Sequence, residues 1–138
     1  MRLLPIALLL VQGALPLAAE TVALHPGISA QGIDPERVTS ILLGRISCWA
    51  DGTPVIVVVS LEASADAAVS SLLGRDTERL LRGWKRLVYA GGAAMPTIAH
   101  TNAEALALVA RLPGAIALLP EVPAASGCTA VELRRTPR

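Results

Sequence analysis

The chain has 138 residues, with 12 Lys and Arg against 11 Asp and Glu, so its formal net charge is +1. This length suits one domain, and a nearly neutral chain has no long-range attraction for nucleic acid or anionic lipid. With two Trp, one Tyr and no Phe, it also lacks the aromatic side chains of a base-stacking platform. The composition therefore argues against nucleic-acid binding and requires a core built from aliphatic side chains.

The first 19 residues have the pattern of a secretory signal. Arg2 precedes an apolar run from Leu3 to Leu15, and small residues follow up to Ala19, where we expect cleavage. The alternative is an uncleaved membrane anchor, although the run is short for a bilayer span and is interrupted by proline and glycine. We predict export to the periplasm or beyond, a signal peptide at 1–19 and one mature domain at 20–138. Removal of Arg2 would leave the mature chain with equal numbers of acidic and basic residues.

Two strands and a helix are predicted in the first half of the mature chain. Thr21–His25 resembles a short strand that Pro26 and Gly27 stop. Asp34 before Pro35 predicts a helix start, and Gly44 predicts its end. After a turn at 49–54, Val55–Ser60 is a continuous aliphatic run, which is typical of a central strand covered by helices on both faces.

Two helices should follow. Ser64 or Asp66 can open the first, which ends at Gly74, and Asp76 can cap a longer one that runs to about Tyr89. One face of the longer helix is apolar, and the opposite face carries four arginines, namely Arg75, Arg79, Arg82 and Arg86. This arginine stripe is either a docking surface for a partner or the solvated side of an amphipathic helix.

The remaining segments continue the alternation of strands and helices. Pro96–Ala99 predicts a short edge strand, and Thr101 with Glu104 forms a capping box for a helix through Leu112. Strands are expected at Ala115–Leu119 and at about Thr129–Leu133. This order predicts an α/β fold with a mainly parallel sheet of about four to five strands, flanked by helices.

Four segments in order resemble the phosphate-type periplasmic solute-binding proteins of ABC importers. They are the helix at 33–45, the Trp49–Gly52 turn, the segment Trp84–Gly91 and the helix–Pro-Gly–strand passage at 109–116. The resemblance implies a fold like one lobe of a type II periplasmic binding protein. Full-length members close two lobes on the ligand, and this chain has the length of one.

The resemblance also implies a small oxyanion ligand such as phosphate, held at the turn after Val59. In phosphate binders this turn is rich in glycine, and its amides and hydroxyls hold the anion at a helix N-terminus. Here no glycine is present and Glu62 would repel an anion. The remaining candidate donors are Ser60, Ser64 and the amides of Ala65 and Asp66. His25 is a further candidate if it faces the same crevice, and otherwise is a surface histidine before a turn.

No metal, cofactor or catalytic pattern is present in the sequence. Cys48 and Cys128 either pair, as an oxidising compartment permits, or are two small buried hydrophobic residues. We therefore expect a binding module without enzymatic activity, which binds a small anion such as phosphate or contacts a membrane permease. The alternative is a periplasmic interaction module that contacts another periplasmic protein and has lost ligand binding.

Overall fold

A five-stranded mixed sheet organises residues 20–133, the part of the chain that the computed structural model describes. The strands are β1 (Thr21–Leu24), β2 (Ile56–Ser60), β3 (Thr97–Ala99), β4 (Ala115–Leu119) and β5 (Thr129–Glu132). Their order across the sheet is β3-β2-β4-β1-β5. β2 pairs in parallel with β3 and β4, whereas β1 runs antiparallel to both β4 and β5. The predicted signal peptide at 1–19 lies outside the described residues.

The helices lie between the strands, as the sequence predicted. They are α1 (Pro35–Leu42), α2 (Ala63–Leu73), α3 (Thr77–Tyr89) and α4 (Asn102–Arg111), and a short 3-10 turn follows at Ala124–Ser126. Four strands run in one direction and β1 runs against them, so the sheet is mostly parallel. The prediction of a helix-flanked α/β fold is confirmed.

Three helix starts are capped as the sequence indicated. The side chains of Asp34, Asp76 and Thr101 each accept a hydrogen bond from the amide three residues later, at 2.7, 2.9 and 3.0 Å. Each cap satisfies one of the amides that the first helical turn leaves unpaired.

The predicted start of α2 was wrong. The helix begins at Ala63, and its cap position is Glu62, which makes no side-chain hydrogen bond to the helix. The Asp66 carboxylate instead accepts the amide of Thr77 at 2.8 Å and so ties α2 to the first turn of α3. Gly74 ends α2 in the left-handed conformation, as expected.

The core has two layers, one on each face of the sheet. The larger layer lies under α1, α2 and α3 and contains Leu24, Ile41, Leu80 and Ile116. The smaller layer lies under α4 and is built largely from alanine and valine, including Ala105 and Val109. Small side chains on that face allow α4 to approach the strands closely. The continuous aliphatic run of β2 is explained by this burial on both faces.

The two tryptophans tie the larger layer to the backbone. Trp49 Nε1 donates to the carbonyl of Gly114 at 2.9 Å, and Trp84 Nε1 donates to the carbonyl of Leu42 at 2.8 Å. Both rings are buried, so each indole N–H has its polar requirement met inside the core. Trp84 therefore fixes α3 against the end of α1, and Trp49 fixes the turn before β2 against the start of β4.

Candidate functional site

Parallel strands create two edges with different chemistry. The carboxyl edge is where β2, β3 and β4 end, and it holds Ser60 and the first residues of α2 and α4. The amino edge is where β2 and β4 begin, and it holds the Trp49–Pro54 turn and Gly114. In open α/β sheets, ligands bind outside the carboxyl ends of the strands. The predicted oxyanion turn lies at that edge.

The hydroxyls of the predicted turn are already bonded within the protein. Buried Ser60 donates to Asn102 Oδ1 at 2.7 Å and accepts the amide of Glu62 at 3.3 Å. Asn102 Nδ2 in turn donates to the hydroxyl of Ser64 at 2.9 Å. One asparagine at the start of α4 thus engages both serines that the sequence offered as donors.

A carboxylate occupies the neighbouring helix N-terminus. Glu62 Oε1 accepts the backbone amide of Asn102, the first residue of α4, at 3.1 Å. The amide groups and the dipole at a helix start favour negative charge, and here Glu62 supplies it. We call these four residues, Ser60, Glu62, Ser64 and Asn102, the carboxyl-edge network.

Of the two predicted amide donors, the Asp66 amide is bonded within the protein, and Ala65 is a buried residue. The amide of Asp66 donates to the carbonyl of Glu62 at 3.0 Å inside α2, and its side chain points to Thr77. The hydrogen bond from the Thr77 amide holds the pKa of the Asp66 carboxyl below its usual value. Ala65 is buried in the smaller core layer, in the first turn of α2.

His25 lies at the opposite edge from the serines. Because β1 runs antiparallel to β4, the carboxyl end of β1 lies beside the start of β4. The amide of His25 donates to the carbonyl of Ala115 there, at 3.0 Å. The structure therefore does not bring His25 together with Ser60 and Ser64. Sequence patterns could not show this, since strand direction depends on long-range pairing.

A pocket of about 530 Å³ opens at the amino edge, beside His25. Its polar wall includes Arg37, Asp51 and Gln31, and its apolar wall includes Ile28, Ile33 and Trp49. No pattern in the sequence indicated this pocket. Its residues come from three separate segments, and only the fold places them together.

Two side chains that line this pocket, His25 and Asp51, each accept a hydrogen bond from a nearby backbone amide. His25 Nδ1 accepts the amide of Gly27 at 3.0 Å, so in the neutral ring the proton sits on Nε2. Asp51 Oδ1 accepts the amide of Thr53 at 2.9 Å. That bond, with a second one from the Thr53 side chain, lowers the pKa of the Asp51 carboxyl below its usual value.

The candidate disulfide does not form in the structure, where both cysteines are free thiols. Cys48 precedes β2 and Cys128 precedes β5, and β4 and β1 lie between these two strands. Three strand spacings amount to roughly 14 Å, whereas a disulfide needs Cα atoms within about 7 Å. Cys128 packs beside α4 and donates to the carbonyl of Leu106 at 3.3 Å.

All four arginines of the predicted stripe are exposed, but Arg75 lies before the start of α3, and one of the other three is paired. Arg82 forms an ion pair with Glu78, whereas Arg75, Arg79 and Arg86 have no acidic partner among residues 20–133. A shallow groove of about 290 Å³ runs between α3 and the end of α1. Its rim carries Arg45, Arg75 and Arg86, and its floor includes Trp84 and Leu87.

Residues 20–133 contain no cluster of His, Cys, Asp and Glu side chains that could hold a metal ion. Within the same range, no helix has the length and apolar character needed to cross a bilayer. No known protein-family model matches the chain, and no curated protein matches it at a significant level.

Proposed function

We propose that this chain is an exported, non-catalytic interaction module with a fold like one lobe of a phosphate-type solute-binding protein. In this proposal the ancestral oxyanion turn is closed by the protein's own side chains. The observation that carries it is the contact of Glu62 with the start of α4, at 3.1 Å, beside the bonded Ser60 and Ser64. The module then acts by docking to a partner with an acidic surface.

Anion capture at the carboxyl edge would have to overcome two opposing effects. An incoming phosphate would meet the carboxylate of Glu62 at the helix start, and like charges in contact repel strongly. The phosphate would also have to break the hydrogen bond between Asn102 and Ser60. Ser60 is only 3% exposed. A buried hydroxyl or amide left without a partner costs about 1–3 kcal/mol.

The groove between α3 and the end of α1, lined by Arg45, Arg75 and Arg86 and called the arginine groove below, supports a docking role. Three arginines and the half-buried Leu87 line it, and arginine is enriched in protein interfaces. Tyr89, the last residue of α3, is 91% exposed. An acidic partner segment would pair with the arginines and cover the accessible part of Leu87.

The other candidate function is weak binding of a small oxyanion by an exported solute-binding-like protein. Titration calorimetry with phosphate and sulfate at millimolar concentration separates the two. We expect no heat of binding from the unmodified protein for either anion. A saturable heat signal that Ser60→Ala abolishes would contradict the proposal that ligand binding has been lost, and it would support the solute-binding alternative.

Docking is tested with a fluorescent glutamate-rich peptide and its anisotropy at low ionic strength. The double variant Arg45→Glu/Arg86→Glu should weaken peptide binding at least about tenfold, because two contacts become repulsive. Arg111→Glu is the matched control, since Arg111 is exposed on α4, on the opposite face of the sheet. Equal loss in both variants would show unspecific charge attraction and contradict the proposed docking face.

A further inference from the structure

The amino-edge pocket has the features of a second site, unrelated to the oxyanion turn and to the arginine groove. It combines one cationic side chain, Arg37, with an apolar wall that includes Trp49 and Ile33. Its volume of about 530 Å³ falls within the usual range for small-molecule pockets. It is formed by the loop after β1, the first turn of α1, the turn before β2 and Gly114.

Arg37 is the group in this pocket that most needs a partner. Its Nε–H is buried and donates to no acceptor in residues 20–133. No acidic side chain in that range forms an ion pair with it either, since Asp34 accepts only the backbone amide of Arg37. A buried donor without an acceptor is costly, and more so when it is charged.

The local backbone places the guanidinium close to the pocket wall. Gly32 has a φ of +79°, and a Cβ at this position would lie 3.4 Å from Arg37 Nη1. The guanidinium therefore lies at van der Waals distance from the loop that lines the pocket, and the glycine at this position suits the left-handed backbone. Because the guanidinium presents parallel N–H groups, it suits a planar two-oxygen acceptor.

The other polar residues restrict the ligand. The Asp51 carboxylate lies in the same pocket wall and disfavours a second negative charge, so a monoanion fits better than phosphate. The Nε2–H of His25 adds a further donor at the wall. The aliphatic and indole surface requires an apolar body beside the anionic group.

We infer that the amino-edge pocket binds a small organic monocarboxylate, whose carboxylate pairs with Arg37 and whose apolar part packs against Trp49 and Ile33. The same chemistry is offered by a free carboxylic acid and by the C-terminus of a peptide that ends in an aliphatic residue. No bond is made or broken in this site.

The two indole N–H groups provide the readout. In a ¹H–¹⁵N NMR titration with hexanoate, the Trp49 indole signal should shift and saturate, because Trp49 lines the pocket. The Trp84 indole, bonded to Leu42 away from this pocket, is the internal control and should stay in place. N-acetyl-Ala-Ala-Leu serves as the peptide probe, and hexanamide and inorganic phosphate are the probes that should not bind.

Arg37→Gln should weaken hexanoate binding by about 10- to 100-fold, the usual loss for a charge-assisted hydrogen bond. Lys85→Gln also removes one positive charge, at an exposed position of α3 that does not line this pocket, and this control should bind as the unmodified protein does. If Arg37→Gln loses its native spectrum, Arg37→Lys replaces it and should lose affinity less severely. The site is supported if the Trp49 signal saturates with hexanoate or with the peptide and if the Arg37 variant weakens that binding. The probe that binds shows whether the ligand is a free carboxylic acid or a peptide C-terminus. Equal shifts with hexanamide, or no shift with either carboxylate, would overturn it.

Discussion

Asn102 accepts a hydrogen bond of 2.7 Å from the hydroxyl of Ser60, across 42 positions of sequence. The pair joins the end of β2 to the start of α4, and Glu62 and Ser64 complete the carboxyl-edge network. The residue types that suggest an anion site in the sequence therefore stabilise the packing of α4 in the structure. The same side chains cannot satisfy each other and a ligand at once.

The first prediction concerns the centre of this network. Asn102→Ala leaves the buried hydroxyl of Ser60 without its acceptor, so we expect a loss of about 1–3 kcal/mol in the free energy of unfolding. Urea denaturation followed by circular dichroism measures it. Ser64→Ala is the control, because Ser64 is exposed and water replaces its lost bond, so its effect should stay within about 0.5 kcal/mol. Equal effects of the two variants would contradict a buried network.

The second prediction follows from the contact of Asp66 with Thr77. A carboxyl whose pKa is lowered by folding stabilises the protein above its unfolded pKa, about 3.9, and this contribution is lost as pH falls through the lower folded value. Asp66→Asn keeps an acceptor for the Thr77 amide but does not titrate. The stability advantage of the unmodified protein over Asp66→Asn should be constant from pH 7 to about 5 and shrink below about pH 4. An advantage that persists unchanged at pH 2 would contradict this assignment.

The sequence predicted the local features of the fold well and the long-range ones poorly. Helix caps such as Asp34 and Thr101 involve residues only a few positions apart, so the sequence shows them directly. The buried strand at Val55–Ser60 is evident from its continuous aliphatic composition. The direction of β1 depends on its pairing with β4, more than 90 positions later in the chain. That direction separates His25 from Ser60, and no local pattern encodes it. The contact between Glu62 and Asn102 was missed for the same reason.

The third prediction distinguishes the two cysteines. Thiolates are the reactive species, and burial raises the pKa of the Cys128 thiol, whereas Cys48 is exposed. At pH 8, iodoacetamide should label Cys48 faster than Cys128 in the folded protein, and both should react alike after unfolding in urea. Mass spectrometry of tryptic peptides measures the two rates. A native protein without any reactive thiol would show that the cysteines pair despite their separation across the sheet.

The fourth prediction isolates a close backbone contact at the amino edge. Gly114 has a φ of +84°, and a Cβ there would collide with the carbonyl of Pro54. Gly52 has a similar φ of +88°, but a Cβ at that position would meet no atom within 4 Å. Gly52→Ala should therefore lower the free energy of unfolding only by the energy of placing an L-residue in the left-handed conformation, roughly 1–2 kcal/mol.

Gly114→Ala should lower the free energy of unfolding by about 1–3 kcal/mol more than Gly52→Ala does, which is the typical penalty of overpacking. The carbonyl of Gly114 also accepts the amide of Ile56 and the indole of Trp49, so the collision would strain both bonds. Chemical denaturation compares the two variants, and the Trp49 indole signal in NMR should move in Gly114→Ala alone. Equal destabilisation would mean that the backbone at β4 can shift away from Pro54, and that the start of this strand is less rigid than its contacts indicate.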